Sequence, residues 1–78
     1  MGSKEKILMR FATHLTRLRK ERGLSIRQLA AAAGLDYSQV QRIEKAKVNI
    51  AFTTLVALAQ GLEMSVAELL DEFKAPRN

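Results

Sequence analysis

Residues 34–36, Gly-Leu-Asp, limit what this chain can fold into more than any other part of it. They follow four alanines, residues 30–33, and precede a segment, residues 37–45, that is apolar only at Val40 and Ile43 apart from the ring of Tyr37. Glycine reaches the left-handed conformation without steric cost and ends a helix sharply. Aspartate is a preferred helix cap, and its charge suits the positive end of the helix dipole. A cap followed three residues later by Gln occurs on both sides of the turn, as Ser25–Gln28 and Asp36–Gln39, the spacing of a capping box. The chain is thus expected to make one short helix, turn within three residues, and start another, with Leu35 filling the corner. The alanines are helix formers whose small side chains let another helix come close. Ala30, four before the glycine, marks the expected crossing.

The flanking sequence is helical in pattern as well. Ile7, Phe11, Leu15 and Leu18 form one apolar stripe on a first helix, about residues 4–22, ended by Gly23. A fourth helix is expected over about residues 52–60, with Phe52, Leu55, Leu58, Ala59 and Leu62 on one side and Gly61 closing it. A fifth opens with Ser65–Glu68, the strongest capping box in the chain. It carries Val66, Leu69, Leu70 and Phe73 and stops before Pro76. No strand pattern or repeat stands out. Short connections between short helices predict a compact all-α five-helix bundle, one domain over residues 1–78 with its core at about 5–74.

Charge narrows the partners. The net charge is +5, but residues 1–47 carry +7 and residues 48–78 carry −2. A basic surface on one part of the molecule suits a polyanion, while a basic face serving only solubility is the plain alternative. Cysteine is absent, which removes disulfides and thiolate metal sites. His14 is the only histidine; it is expected on the helix surface, and one histidine does not make a zinc site. Met9 and Met64 are expected to pack. No apolar run approaches the roughly 20 residues that span a bilayer, and no signal peptide is visible, so a cytoplasmic location is expected. Nothing places two carboxylates in a shared pocket, and no glycine-rich phosphate loop is present. No catalytic residue, cofactor, metal or small-molecule ligand is therefore expected.

On a helical wheel, Val40 and Ile43 anchor one side of the third helix. The opposite arc, about 140° wide, presents Tyr37, Ser38, Gln41, Arg42 and Lys45 with no carboxylate. Gln and Arg make the bidentate contacts that identify adenine and guanine in the major groove. Glu44 falls at the edge of the buried face and needs a cation, for which Arg19 on the first helix is the candidate. Residues 17–22 are expected to be mostly solvated apart from Arg19, with Lys20 and Arg22 adding only a long-range field.

A Gly-containing turn of three residues between short helices is the signature of a helix-turn-helix. Together with Leu18–Ser25, Leu29–Leu35, Gln39–Lys47 and Thr54–Leu70, it resembles the XRE-type helix-turn-helix family of phage repressors and Cro proteins. The resemblance spans about residues 7–73. It implies a lambda-repressor-like five-helix bundle, usually dimeric, that binds operator DNA to control transcription by promoter occlusion or contact with RNA polymerase. By that resemblance, residues 37–45 are the recognition helix and Tyr37, Ser38, Gln41 and Arg42 occupy base-facing positions. Ser25, Arg27, Gln39, Lys45 and Lys47 fall where phosphates are contacted, and Arg19 with Glu44 where the family places an ion pair. Phe52, Val56, Met64 and Phe73 are the candidates for a dimer seam, with plain core packing as the alternative for Met64 and Phe73.

Three residues depart from the family pattern. Ile26 stands where a phosphate-contacting Gln is common. Ala46 stands where Gly is usual. Ala51 cannot cap the fourth helix, which leaves Asn49 as a substitute or shifts the helix start. A small regulator of this kind also resembles restriction–modification controller proteins and antitoxins. The rival of a different class is a helical protein-interaction module, because fold alone does not fix function. Such a module would expose apolar anchors where this third helix exposes donors.

Overall fold

The computed structural model describes residues 3–74. Pro76 and the ends of the expected domain lie outside them. Five α-helices follow in order: α1 Lys4–Glu21, α2 Ile26–Ala33, α3 Tyr37–Glu44, α4 Phe52–Gly61 and α5 Val66–Leu69, with a 3₁₀ turn at Asp71–Phe73. No strand occurs among the described residues.

Local chemistry sets the boundaries. The Ser25 hydroxyl accepts from Gln28 N–H (3.0 Å), and the Gln28 side chain accepts from Ser25 N–H (2.8 Å). Ser65 and Glu68 exchange the same pair of bonds at the start of α5. At α3, Gln39 Oε1 accepts from Asp36 N–H at 3.0 Å. No side chain caps α4, whose cap position is Ala51; Asn49 does not substitute.

Helices α1 to α4 all end in the same two-bond motif. At each end the N–H of Leu24, Leu35, Lys47 or Met64 bonds back to the carbonyl five residues earlier, that of Arg19, Ala30, Arg42 or Ala59. The motif requires a left-handed residue just before it. Gly23 (φ +69°) and Gly34 (φ +70°) supply it after α1 and α2. After α3 and α4 the position falls to Ala46 and Glu63, both at φ +58°, where a side chain makes the conformation costly. The left-handed turn at Ala46 follows where the family pattern has Gly; the one at Glu63 had no glycine to announce it.

Gly61 has a different role from the one its position suggests. It is the last residue of α4, as expected, but it takes no left-handed turn and lies buried against α2. A Cβ built there would lie 3.0 Å from both the Cβ and the backbone N of Ala33. The small residues of α2 thus meet the missing side chain of α4, and the two helices touch through backbone.

The core contains Phe11, Leu15 and Leu18 of α1, Leu29 and Ala30 of α2, Val40 and Ile43 of α3, Leu58, Ala59 and Leu62 from α4 and its end, and Leu69 of α5. Leu35, Val48, Ile50, Met64 and Phe73 pack around it. Two apolar expectations fail at the edge. Ile7 is 48% exposed and Met9 59% exposed, because α1 extends past the helices that cover its later turns. His14 departs the other way. It is buried, with Nδ1 2.7 Å from Arg17 Nη2. Arg17 can only donate, so Nδ1 accepts and the ring proton sits on Nε2, which is buried without a partner.

Arg22 also does more than add field: its Nε donates to Leu62 O at 2.6 Å, tying the end of α1 to the end of α4. Helix α5 covers only four residues before the chain tightens into the 3₁₀ turn. Arg10 holds that turn through Glu72 O (2.9 Å) and lies over the Phe73 ring at 4.7 Å. No helix among the described residues is long and apolar enough to cross a membrane.

Candidate nucleic-acid interface

Helix α3 is fixed from behind. Val40 is fully buried and Ile43 is 3% exposed. Glu44 accepts from Arg19 twice, Nε to Oε2 at 2.6 Å and Nη2 to Oε1 at 2.9 Å, and from Thr16 Oγ1 at 2.9 Å. Arg19 Nη1 donates onward to Leu24 O at 2.8 Å. The side chains are only 10% and 7% exposed. Hydrogen bonding to Glu44 raises the Arg19 guanidinium above its ordinary range, against the opposing effect of burial. This joint bolts α3 to α1 and, through Leu24, to the turn before α2. Thr16 is a member that sequence pattern did not single out; it lies one turn before Arg19 on α1.

The outward face of α3 presents Tyr37, Ser38 and Arg42 exposed and Gln41 half-buried. No carboxylate lies among them, since Glu44 is turned inward. Ser25, Arg27 and Gln39 are exposed around the turn, and Lys45 and Lys47 beyond the end of α3. Ser25 and Gln39 already cap helices. Each spends an acceptor in doing so, which leaves the Ser25 hydroxyl proton and the Gln39 amide N–H₂ free to donate. The Arg27 guanidinium lies 4.7 Å above the Tyr37 ring, and Ile26, in place of the family's Gln, packs against the core.

Between α3 and the start of α4 is an open hollow of about 280 Å³, lined by Gln39, Arg42, Val48, Asn49 and Thr54 among others. Asn49 and Thr54 were not among the expected contact residues. The signal was the cap that Ala51 cannot provide, which leaves the positive end of α4 facing this hollow without a side chain on it.

The expected dimer residues divide. Phe52, 69% exposed, and half-buried Val56 lie outside the packed cluster, whereas Met64 and Phe73 pack against it. Phe73 instead shares an apolar hollow of about 230 Å³ with Ile7, Leu8, Leu55 and Leu70. Among the described residues no cluster of His, Asp and Glu could hold a metal ion.

The two capped helices, their glycine turn and the bolt behind α3 coincide with a known pattern. A helix-turn-helix family model (HTH_3) matches residues 15–69. The chain belongs to the XRE-type helix-turn-helix family. This helix-turn-helix chain is 36% identical over 62 residues to the HTH-type transcriptional regulator PuuR of Escherichia coli. The match takes in 80% of the chain but spans only 34% of PuuR. Its fold is similar to the restriction–modification controller protein C.AhdI from Aeromonas hydrophila, with a TM-score of 0.77 and 35% identity, covering 80% of this chain and 94% of that one. An HTH_3 family transcriptional regulator from Vibrio cholerae superimposes with a TM-score of 0.83 at 28% identity, over 91% of this chain and 40% of that one.

Proposed function

We propose that the chain is a sequence-specific double-stranded DNA-binding regulator of transcription, with about residues 5–74 as its single DNA-binding unit. The observation that carries this is the outward face of α3, rich in donors, without a carboxylate and rigidly backed. Helix α3 enters the major groove. Tyr37, Ser38, Gln41 and Arg42 read base edges, with Arg42 suited to guanine and Gln41 to adenine. Ser25, Arg27, Gln39, Lys45 and Lys47 hold phosphates and fix orientation. The uncapped start of α4 beside Arg42 adds a positive helix end suited to a phosphate.

The regulator acts as a homodimer on a near-palindromic operator, with half-sites about 34–36 Å apart or a multiple of that. Exposed Phe52 and half-buried Val56, one turn apart on α4 and both outside the core cluster, support this reading as neighbouring apolar groups that a partner would cover. It works in the cytoplasm, by promoter occlusion or contact with RNA polymerase. The likeness to C.AhdI, which reaches over 94% of that protein, favours a controller-type regulator of a restriction–modification system within this class.

Titration of duplex DNA in rising salt tests the reading. Affinity should fall steeply with salt, as counterions released from phosphates dictate. Absence of duplex binding at low salt would sink it and favour the protein-interaction alternative.

A further inference from the structure

Arg27 and Tyr37 sit on different helices, at the second residue of α2 and the first of α3. Nothing in the three-residue turn forces their side chains together. Yet the guanidinium lies over the ring at 4.7 Å, in contact range for a cation–π pair. Neither group is among the side-chain hydrogen bonds of the described residues, and none of the ion pairs among those residues includes Arg27. A guanidinium that stacks through its face keeps its N–H edges free in the plane. Arg27 can therefore lie over the ring and still donate to a phosphate, whereas a lysine ammonium, though it also keeps free donors, is compact and strongly hydrated and covers the ring less well.

We propose that Arg27 is a positioning residue for Tyr37. Its stack holds the phenol in one orientation before DNA arrives, so that a phosphate-facing cation on α2 sets the first base-facing side chain on α3. This rests on the DNA-reading role proposed above. Tyr37 is 38% exposed and projects from the end of its helix, where an unsupported ring would sample several rotamers. Ordering such a side chain only on binding weakens binding, and the stack removes that cost. Phosphate contact and base reading at this end of α3 are then coupled through one side chain.

The chain offers a direct probe, because Tyr37 is its only tyrosine and it has no tryptophan. In the free protein, Arg27→Ala and Arg27→Lys should raise acrylamide quenching of the tyrosine emission and lower its anisotropy. Unchanged emission in both variants would overturn the proposal. Binding to a duplex selected from random DNA supplies the second arm. Arg27→Lys keeps the charge, so the salt dependence should hold, while affinity falls roughly 2- to 10-fold. In a Tyr37→Ala background the same change should have no further effect. An equal loss in both backgrounds would overturn the coupling while leaving DNA reading intact. Failure of the unaltered protein to bind any duplex would remove the DNA reading and this proposal with it.

Discussion

Removing the Glu44 carboxylate should cost more stability than its single charge suggests. In Glu44→Ala, Arg19 keeps its bond to Leu24 O but loses two charge-assisted bonds, at 2.6 and 2.9 Å, and Thr16 loses its acceptor. The guanidinium is left with its charge uncompensated in a site where its side chain is 10% exposed. Breaking a buried pair by removing one partner costs about 3–5 kcal/mol. A domain of this size has about 5–15 kcal/mol in total, so the loss is a large fraction of it. At about 4–8 °C per kcal/mol, the thermal midpoint should fall by well over 10 °C. Urea unfolding followed by helical circular dichroism reads the change as a lower midpoint with an unchanged slope. Replacing both partners, Arg19→Met with Glu44→Leu, should recover most of the loss, because the penalty is the orphaned charge rather than a missing attraction. A Glu44→Ala midpoint indistinguishable from the original, or a double variant as unstable as the single one, would mean that no buried-charge penalty acts at this joint.

Four further outcomes test other parts of the account. Ala46→Gly should raise stability by about 0.5–1 kcal/mol in urea unfolding, since glycine relieves the left-handed strain at φ +58° at some cost in unfolded-chain entropy. Gly61→Ala should lower it by about 1–3 kcal/mol, because the new Cβ meets Ala33 backbone that cannot simply move aside. Arg42→Ala should lose about 1–3 kcal/mol on the selected site and relax preference at one base pair, whereas Lys47→Ala should weaken all duplexes alike and flatten the salt dependence; identical behaviour would erase the division between reading and anchoring. The Ser65 N–H and hydroxyl pull Glu68 below its ordinary 4.5. Its contribution is therefore present above that value and lost as pH falls through the lower folded value, and Glu68→Gln should flatten the acid limb of stability against pH.

What could be read from sequence was chiefly what is local. Ser25 with Gln28, Gly34, and Ser65 with Glu68 act over three or four residues, so their chemistry announced the helix boundaries. The pairing of Arg19 with Glu44 could be nominated because each lies at the buried edge of its own helix. Tertiary position was harder to read. The stripe from Ile7 to Leu18 has one period throughout, and nothing in it says where the covering helices run out, which is why Ile7 looked like core. His14 looked like surface because its polarity was read without the neighbouring Arg17, which gives one ring nitrogen a partner on the same helix. Gly61 looked like a stop because glycine often is one; its contact with Ala33 exists only once α2 and α4 cross. The stack of Arg27 on Tyr37 likewise depends on how two helices meet, and spacing along one helix carries no trace of it.

Whether the outward face of α3 reads base sequence is decided by selecting bound duplexes from a random pool. One sequence with two-fold symmetry should be enriched, its half-sites about 34–36 Å apart or a multiple of that. A bound pool no different in sequence from the starting one would contradict base reading by α3.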